Sequence, residues 1–129
     1  STKVLETARA GIYGYEQLPD NIPKDIVGRY FLRGIDENEG KIKVKDFLKG
    51  IVRLGRLNFT EKSYPFNKEF DVIFFRNVMI YFDEEMKRHV ISMFHRHLCG
   101  NGHLLLGHSE TMFWNEEFVP VDITVYRKR

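Results

Sequence analysis

The sequence contains a single cysteine and no long hydrophobic run, and both absences exclude classes of protein. With Cys99 as the only cysteine among 129 residues, no internal disulfide can form, and the chain suits a reducing compartment. No apolar stretch approaches the roughly 18 residues that a membrane-spanning helix needs, and no segment typical of a signal peptide opens the chain. We therefore expect a cytoplasmic protein that does not insert into a membrane.

Three common catalytic or ligand-binding patterns are also missing. No glycine-rich loop leads directly into a helix, so a phosphate or nucleotide cradle of that type is not predicted. His95 and His97 stand two residues apart on a predicted helix, point to different faces and have no His-Glu-x-x-His motif or cysteine cluster beside them. Ser109 lacks a Gly-x-Ser-x-Gly motif. The sequence therefore predicts no metal site and no serine or cysteine nucleophile.

The charge balance argues against one class of partner. The chain has 20 Lys and Arg against 18 Asp and Glu, a formal charge of +2, and the two signs alternate over most of its length. Such a mixed surface gives no strong reason to expect a nucleic acid, although residues 41–49 are locally basic.

A hydrophobic content of 43% is sufficient for a buried core. The length fits one domain or a portion of a larger one.

The segment from Phe70 to Glu110 carries the clearest structural signal. It begins with an apolar run over residues 70–75, continues with an amphipathic helix that Asp83 can cap, and ends with a second apolar run over residues 103–108. Two buried strands separated by a helix form a βαβ unit, which is typical of an α/β domain. The buried face of the helix is predicted to comprise Met86, Val90, Met93 or Phe94, and Leu98.

Four weaker elements flank this unit. The first residues form a predicted helix with an apolar stripe, and Gly11 is well placed to end it. Residues 27–48 have the pattern of a small antiparallel hairpin with one basic, solvated face. A further strand is predicted over residues 51–59, and residues 118–129 alternate as a last antiparallel edge strand. No internal repeat or low-complexity segment is present.

Polar side chains follow the first strand of the βαβ unit directly. Arg76 and Asn77 come immediately after the apolar run, at the carboxyl end of the strand, where open α/β sheets bind their ligands. Ordinary loop polarity would explain the same two residues. Tyr81 is flanked by Ile80 and Phe82, so the pattern allows either a core position or a site position for it.

Four motifs resemble the chemotaxis receptor methyltransferase family, CheR. They are Phe-Phe-Arg-Asn-Val-Met-Ile-Tyr-Phe at residues 74–82, Gly-His-Ser-Glu at 107–110, Ala-Arg-x-Gly-x-Tyr at 8–13 and Arg-Tyr-Phe at 29–31. The motifs stand in the family's order, and the resemblance covers essentially the whole chain. It implies a partial Rossmann-like sheet of a class I methyltransferase with a small antiparallel β-subdomain.

The resemblance also implies an activity and a set of partners. Members of the family transfer the methyl group of S-adenosylmethionine to glutamate side chains on the cytoplasmic helices of bacterial chemoreceptors. In some members the β-subdomain, here residues 27–48, docks the C-terminal peptide of the receptor, and an added strand is a sensible docking mode for an extended peptide.

The resemblance implies site roles for five residues of this sequence. By resemblance, Asn58 and Phe59 would lie along the adenine of the cofactor. Arg76, Asn77 and Tyr81 would line the cofactor and methyl-transfer cleft, with Arg76 and Tyr81 in the catalytic role.

Several family features are absent from these 129 residues. They are the N-terminal helical domain, the first strand with its glycine-rich loop, and the second strand with the acid that holds the cofactor's ribose. We therefore expect residues 1–129 to be the C-terminal portion of the methyltransferase domain, inactive alone and prone to self-association. The alternative is a non-enzymatic module that binds a receptor or a signalling protein.

Overall fold

Two separate sheets organise the chain, one in residues 1–56 and one in residues 57–129. The computed structural model describes residues 2–112 and 114–129. An α/β fold with an additional small antiparallel sheet is thereby confirmed. Among the described residues, every helix is too short or too polar to cross a lipid bilayer.

The first unit is built on a three-stranded antiparallel sheet in the order β1-β3-β2. In β3 the alternation Lys-Ile-Lys-Val buries Ile42 and leaves Lys41 and Lys43 exposed, which confirms the basic face of the predicted hairpin. Gly11 has φ +65° and ends the first helix as predicted. The elements are α1 (Thr2–Ala10), β1 (Ile12–Gly14), α2 (Lys24–Tyr30), β2 (Phe31–Arg33), β3 (Lys41–Val44) and α3 (Asp46–Gly50).

The hairpin predicted over residues 27–48 is shorter than expected. Its two strands pair in antiparallel register, Phe31 with Val44 and Arg33 with Ile42, but helices α2 and α3 occupy both ends of the range. Asp25 lies in the first turn of α2, where a negative charge is favourable at the positive end of the helix. Strand β1 was not predicted, because its three residues are too few to show a period.

The strand predicted over residues 51–59 is wrong. No pairing is present there, and the backbone N–H groups of Ile51 and Val52 bond to Leu48 and Lys49 in a turn. Apolar and polar residues do alternate on each side of Gly55. A strand also needs a neighbour whose backbone groups complete its hydrogen-bonded ladder. None of the described residues provides that neighbour, so the segment stays irregular.

The second unit contains a four-stranded mixed sheet in the order β4-β5-β7-β6. Strands β4 and β5 are parallel and joined by a helix, so the predicted βαβ unit is confirmed. The second strand begins before the apolar run at residue 103, and inside β5 the register jumps from the pair Phe70 and Leu98 to the pair Val72 and His103. The elements are β4 (Phe70–Phe75), α4 (Glu84–His97), β5 (Leu98–Leu106), β6 (Phe118–Asp122) and β7 (Val125–Lys128).

The predicted single strand over residues 118–129 is instead a hairpin. The turn between β6 and β7 is favoured by Asp122, whose carboxylate accepts a hydrogen bond of 2.7 Å from the Ile123 N–H. The predicted antiparallel pairing is confirmed for β7, which lies between β5 and β6. Pro120 lies in the edge strand β6, where its missing N–H breaks no central ladder.

Helix α4 packs an apolar face against an aromatic core under β4. Phe75, at the end of β4, contacts Phe94 and Phe59 with ring centroids 4.8 and 5.2 Å apart. The opposite face of β4 is uncovered, and Phe74 is 71% exposed. A strand with such an apolar run normally has cover on both faces, and none of the described residues covers this face of β4. The core of this unit comprises Tyr64, Phe75, Met79, Val90, Ile91, Met93, Phe94, Leu98, Leu104, Leu106, Met112, Phe118 and Tyr126.

The start of α4 should depend on Asp83. Its carboxylate accepts a hydrogen bond of 2.8 Å from the Met86 N–H, and removing such a cap costs about 1 kcal/mol. Chemical denaturation should show this decrease in the free energy of unfolding for Asp83→Ala. Asp83→Asn keeps an acceptor oxygen and should stay within about 0.5 kcal/mol of the parent chain. Equal losses in both variants would contradict the capping role.

Candidate functional site

The backbone turns sharply where β4 ends. Asn77 has φ +60°, a conformation that residues other than glycine seldom adopt. Arg76 and Asn77 are both exposed at this turn, and a short 3-10 helix, Met79–Tyr81, follows it. The two polar side chains therefore lie at the carboxyl end of a parallel strand, as expected for a ligand-binding edge.

A buried carboxylate holds this turn in place. Glu110 is the one charged residue among the described ones that is buried, with 3% of its surface exposed. Its Oε2 accepts hydrogen bonds from the backbone N–H of Asn77 at 3.0 Å and of Gly107 at 2.7 Å. Its Oε1 accepts a third from the Met79 N–H at 2.7 Å. One side chain thus joins the loop after β4 to the loop after β5.

Gly107 leaves the space that this arrangement needs. A Cβ atom at that position would lie 2.5 Å from Asn77 Oδ1 and 2.9 Å from the Asn77 backbone nitrogen. It would also lie 2.7 Å from Glu110 Oε2. Because the backbone nitrogen has little freedom to move away, only glycine allows the two loops to approach this closely.

The 3-10 helix after the turn begins with a buried side chain and ends with an exposed one. Met79 is buried in the core, whereas Tyr81 is 80% exposed. Ile80 is exposed as well, so the apolar neighbours of Tyr81 do not draw its ring into the core. The structure brings Arg76, Asn77 and Tyr81 into one loop with accessible side chains.

The other two predicted site residues lie elsewhere in the same unit. Asn58 is in an exposed turn, where its Oδ1 accepts hydrogen bonds from the N–H and the hydroxyl of Thr60 at 3.2 and 3.0 Å. Phe59 is half-buried and packs edge-on against Phe75 of β4 and against Phe94 of α4. Phe59 therefore lies under the strand that carries the loop, and its role toward a ligand stays a prediction.

Cys99 is not part of this loop. Its thiol donates a hydrogen bond to the Asp71 carboxylate at 3.7 Å, near the amino end of β4. Desolvation by neighbouring atoms, and then the negative charge of Asp71, raise the pKa of this thiol. A raised pKa reduces the fraction of reactive thiolate, so the chemistry of Cys99 does not favour nucleophilic catalysis.

Sequence reasoning missed the role of Glu110. In the sequence the residue stands out only as the last member of the Gly-His-Ser-Glu motif at 107–110. The informative signal was a glycine at the end of a buried strand followed three residues later by an acid. Such spacing lets a carboxylate turn back onto the N–H groups that the strand ends leave without ladder partners.

Comparisons with known proteins agree on one family. The profile described as "CheR methyltransferase, SAM binding domain" matches residues 1–127. A chemotaxis protein methyltransferase of Borreliella burgdorferi is 38% identical over 128 residues, which are 99% of this chain and 44% of that protein. The protein of the same name in Escherichia coli is 42% identical over 109 residues, 84% of this chain and 38% of the relative.

A third relative has a similar coverage. Chemotaxis protein methyltransferase 2 of Pseudomonas aeruginosa is 36% identical over 126 residues, 97% of this chain and 45% of that protein. The chain thus spans about two fifths of the length of these curated relatives.

The close approach at Gly107 can be tested directly. Gly107→Ala should reduce the free energy of unfolding by about 1–3 kcal/mol, because the new methyl group would overlap the Asn77 backbone. Gly100→Ala is the matched control, since a Cβ there meets nothing within 4 Å. Thermal denaturation of both variants measures the difference. If the two variants were equally stable, the loops would have space for a methyl group at position 107, which would contradict the prediction.

Proposed function

The chain belongs to the CheR methyltransferase family, and on that premise we propose that it contributes to the methyl-transfer site of a chemoreceptor methyltransferase. The proposed reaction transfers a methyl group from S-adenosylmethionine to glutamate side chains on the cytoplasmic helices of bacterial chemoreceptors. Residues 1–129 would form the C-terminal portion of the S-adenosylmethionine-binding domain, acting in the cytoplasm.

The loop after β4 is the observation that carries this proposal. It presents Arg76, Asn77 and Tyr81 with exposed side chains at the carboxyl end of a parallel strand. Two hydrogen bonds fix its backbone to Glu110, from the N–H groups of Asn77 and Met79, and a third joins Glu110 to Gly107 after β5. A ligand-binding loop needs both properties, because groups that are already ordered lose little entropy when the ligand arrives.

The side chains of this loop fit the polar groups of the cofactor in part. A guanidinium such as that of Arg76 is suited to a carboxylate, either of the cofactor's amino-acid moiety or of the substrate glutamate. The amide of Asn77 can both donate to and accept from hydroxyl groups. The Tyr81 hydroxyl provides one more neutral hydrogen-bonding group beside them.

Positioning is the main contribution that these residues would make to the reaction. When bound, S-adenosylmethionine supplies an electrophilic methyl group on a positively charged sulfur. A glutamate side chain has a pKa near about 4.3 in solution, so its carboxylate is ionised at neutral pH and needs no general base. The remaining task is to hold the two reactants in line. Arg76 would orient a carboxylate, and the Tyr81 hydroxyl would form a hydrogen bond beside the transferred methyl group.

The isolated chain should be a weak or inactive form of such an enzyme. Its 129 residues contain no glycine-rich loop for close backbone approach to the cofactor. They also lack the acid that holds the ribose in the family. We propose that both contributions come from another part of the functional protein.

A binding role without catalysis is supported by the sheet of the first unit. Its order β1-β3-β2 leaves the outer edges of β1 and β2 open, and Lys41 and Lys43 are exposed on the central strand. An extended, acidic peptide could add a strand to either edge, with main-chain hydrogen bonds supplying affinity. A receptor C-terminal peptide would be such a partner for residues 27–48.

Calorimetry with S-adenosylhomocysteine separates the two functions. The methyltransferase proposal expects measurable binding of this product to the protein as its gene encodes it. Binding of a receptor C-terminal peptide without any binding of S-adenosylhomocysteine would instead support the non-enzymatic module.

Two substitutions, made in the protein as its gene encodes it, test the roles in the loop through the steady-state kinetics of methyl transfer. Loss of a hydrogen bond to a charged group, worth about 1.5–3 kcal/mol, should reduce kcat/KM about ten- to hundredfold in Arg76→Ala. Tyr81→Phe should reduce it by a smaller factor, because a neutral hydrogen bond is weaker. Arg127→Ala removes another exposed arginine, on β7, and is the control. Normal kcat/KM in both loop variants would refute these roles.

The open side of β4 should cause self-association of the isolated chain. Among the described residues β4 pairs only with β5, and Val72 and Phe74 are exposed on its uncovered face. Sedimentation at micromolar concentration should detect oligomers that Phe74→Lys reduces. Ile123→Lys, which changes an exposed side chain at the far end of the sheet, should leave them unchanged. A monodisperse parent chain would contradict the expectation.

A further inference from the structure

We propose that Glu110 is a positioning residue for the methyl-transfer site, acting through the conformation of the loop after β4. This inference rests on the proposed function, because it concerns how the cofactor-facing loop is held. Glu110 is 3% exposed, and the hydrogen bonds of its carboxylate all come from backbone N–H groups of the protein. Its effect on binding must therefore pass through the backbone groups to which it bonds.

The three hydrogen bonds connect parts of the chain that are distant in sequence. The donors Asn77 and Met79 are 33 and 31 residues before Glu110, whereas Gly107 is three residues before it. The first two donors follow β4 and the third follows β5. The carboxylate therefore fixes the loop that carries Arg76 against the end of the neighbouring parallel strand.

The conformation of Asn77 explains why the loop needs such a fixed point. Asn tolerates a φ of +60° better than other residues with a Cβ atom, but a negative φ is still more favourable, so a free loop would relax in that direction. That relaxation would rotate the peptide groups on both sides of Asn77 and redirect the Arg76 side chain. The hydrogen bonds at the Asn77 and Met79 nitrogens oppose it from both sides of Val78.

A carboxylate suits this position better than an amide. All three partners are N–H donors, and a glutamate offers two acceptor oxygens with no hydrogen of its own. In a glutamine, one oxygen is replaced by an NH₂ group that would face an N–H donor at 2.7–3.0 Å. Because the position is buried, water cannot readily satisfy the donor that is left.

The test compares Glu110→Gln with Tyr126→Phe in the protein as its gene encodes it. Tyr126 is also buried, and its hydroxyl accepts a hydrogen bond of 3.3 Å from the Met112 N–H. Its removal therefore disturbs the same segment without touching the bonds to Asn77 and Met79. The two variants thus separate loss of stability from loss of loop geometry.

Two readouts are expected to distinguish these variants. Hydrogen–deuterium exchange without any ligand should be faster at residues 76–79 in Glu110→Gln and unchanged there in Tyr126→Phe. The Kd for S-adenosylhomocysteine should rise about ten- to hundredfold in Glu110→Gln, compared at temperatures equally far below each variant's Tm. Tyr126→Phe should keep the parent Kd.

Each other outcome has a defined meaning. Unchanged exchange at residues 76–79, or faster exchange with an unchanged Kd, would overturn the positioning role. If Glu110→Gln does not fold, Glu110→Asp provides the same comparison, since its shorter side chain cannot reach all three donors. Failure of the parent protein to bind S-adenosylhomocysteine would refute the proposed function, while the exchange data would still decide whether Glu110 orders the loop.

Discussion

The Glu110 carboxylate accepts hydrogen bonds from three backbone N–H groups. The geometry of the candidate site depends on this interaction. Strands β4 and β5 are parallel, and their ladder ends where the chain leaves the sheet. The N–H groups beyond that point need acceptors, because an unsatisfied buried donor costs about 1–3 kcal/mol. Glu110 accepts hydrogen bonds from three of them, and two of these donors belong to the loop that carries the exposed Arg76 and Asn77. Stability and site geometry therefore share one cause.

Packing on the inner side of β4 complements that interaction. Met79 is buried below the loop, and Phe75 joins the end of the strand to Phe94 of α4 with ring centroids 4.8 Å apart. Two contacts thus hold the loop: the Met79 side chain is buried in the core, and the Glu110 carboxylate bonds to the loop's backbone. Tyr81, between Met79 and α4, is left exposed. Such a division suits a site, since its support is rigid and its polar groups remain accessible.

Local signals predicted those parts of the fold that local interactions determine. The apolar run ending at Phe75, the cap at Asp83 and the positive φ of Gly11 were all readable, because each depends on residues within one or two turns. The predicted strand over residues 51–59 was wrong because strand formation depends on a distant partner. The role of Glu110 was missed for the same reason, since two of its donors lie more than 30 residues away.

The free edge of β4, which among the described residues pairs only with β5, lies beside the proposed site. A strand that pairs with this edge in parallel would bring its own carboxyl end, and the loop after it, next to Arg76. An antiparallel strand, such as β4 of a second copy, would bring its amino end to the same place and supply no such loop. Phe74, 71% exposed beside that edge, favours either partner through apolar burial. Self-association and completion of the proposed cofactor site would therefore compete for one edge, and the direction of the added strand would decide between them.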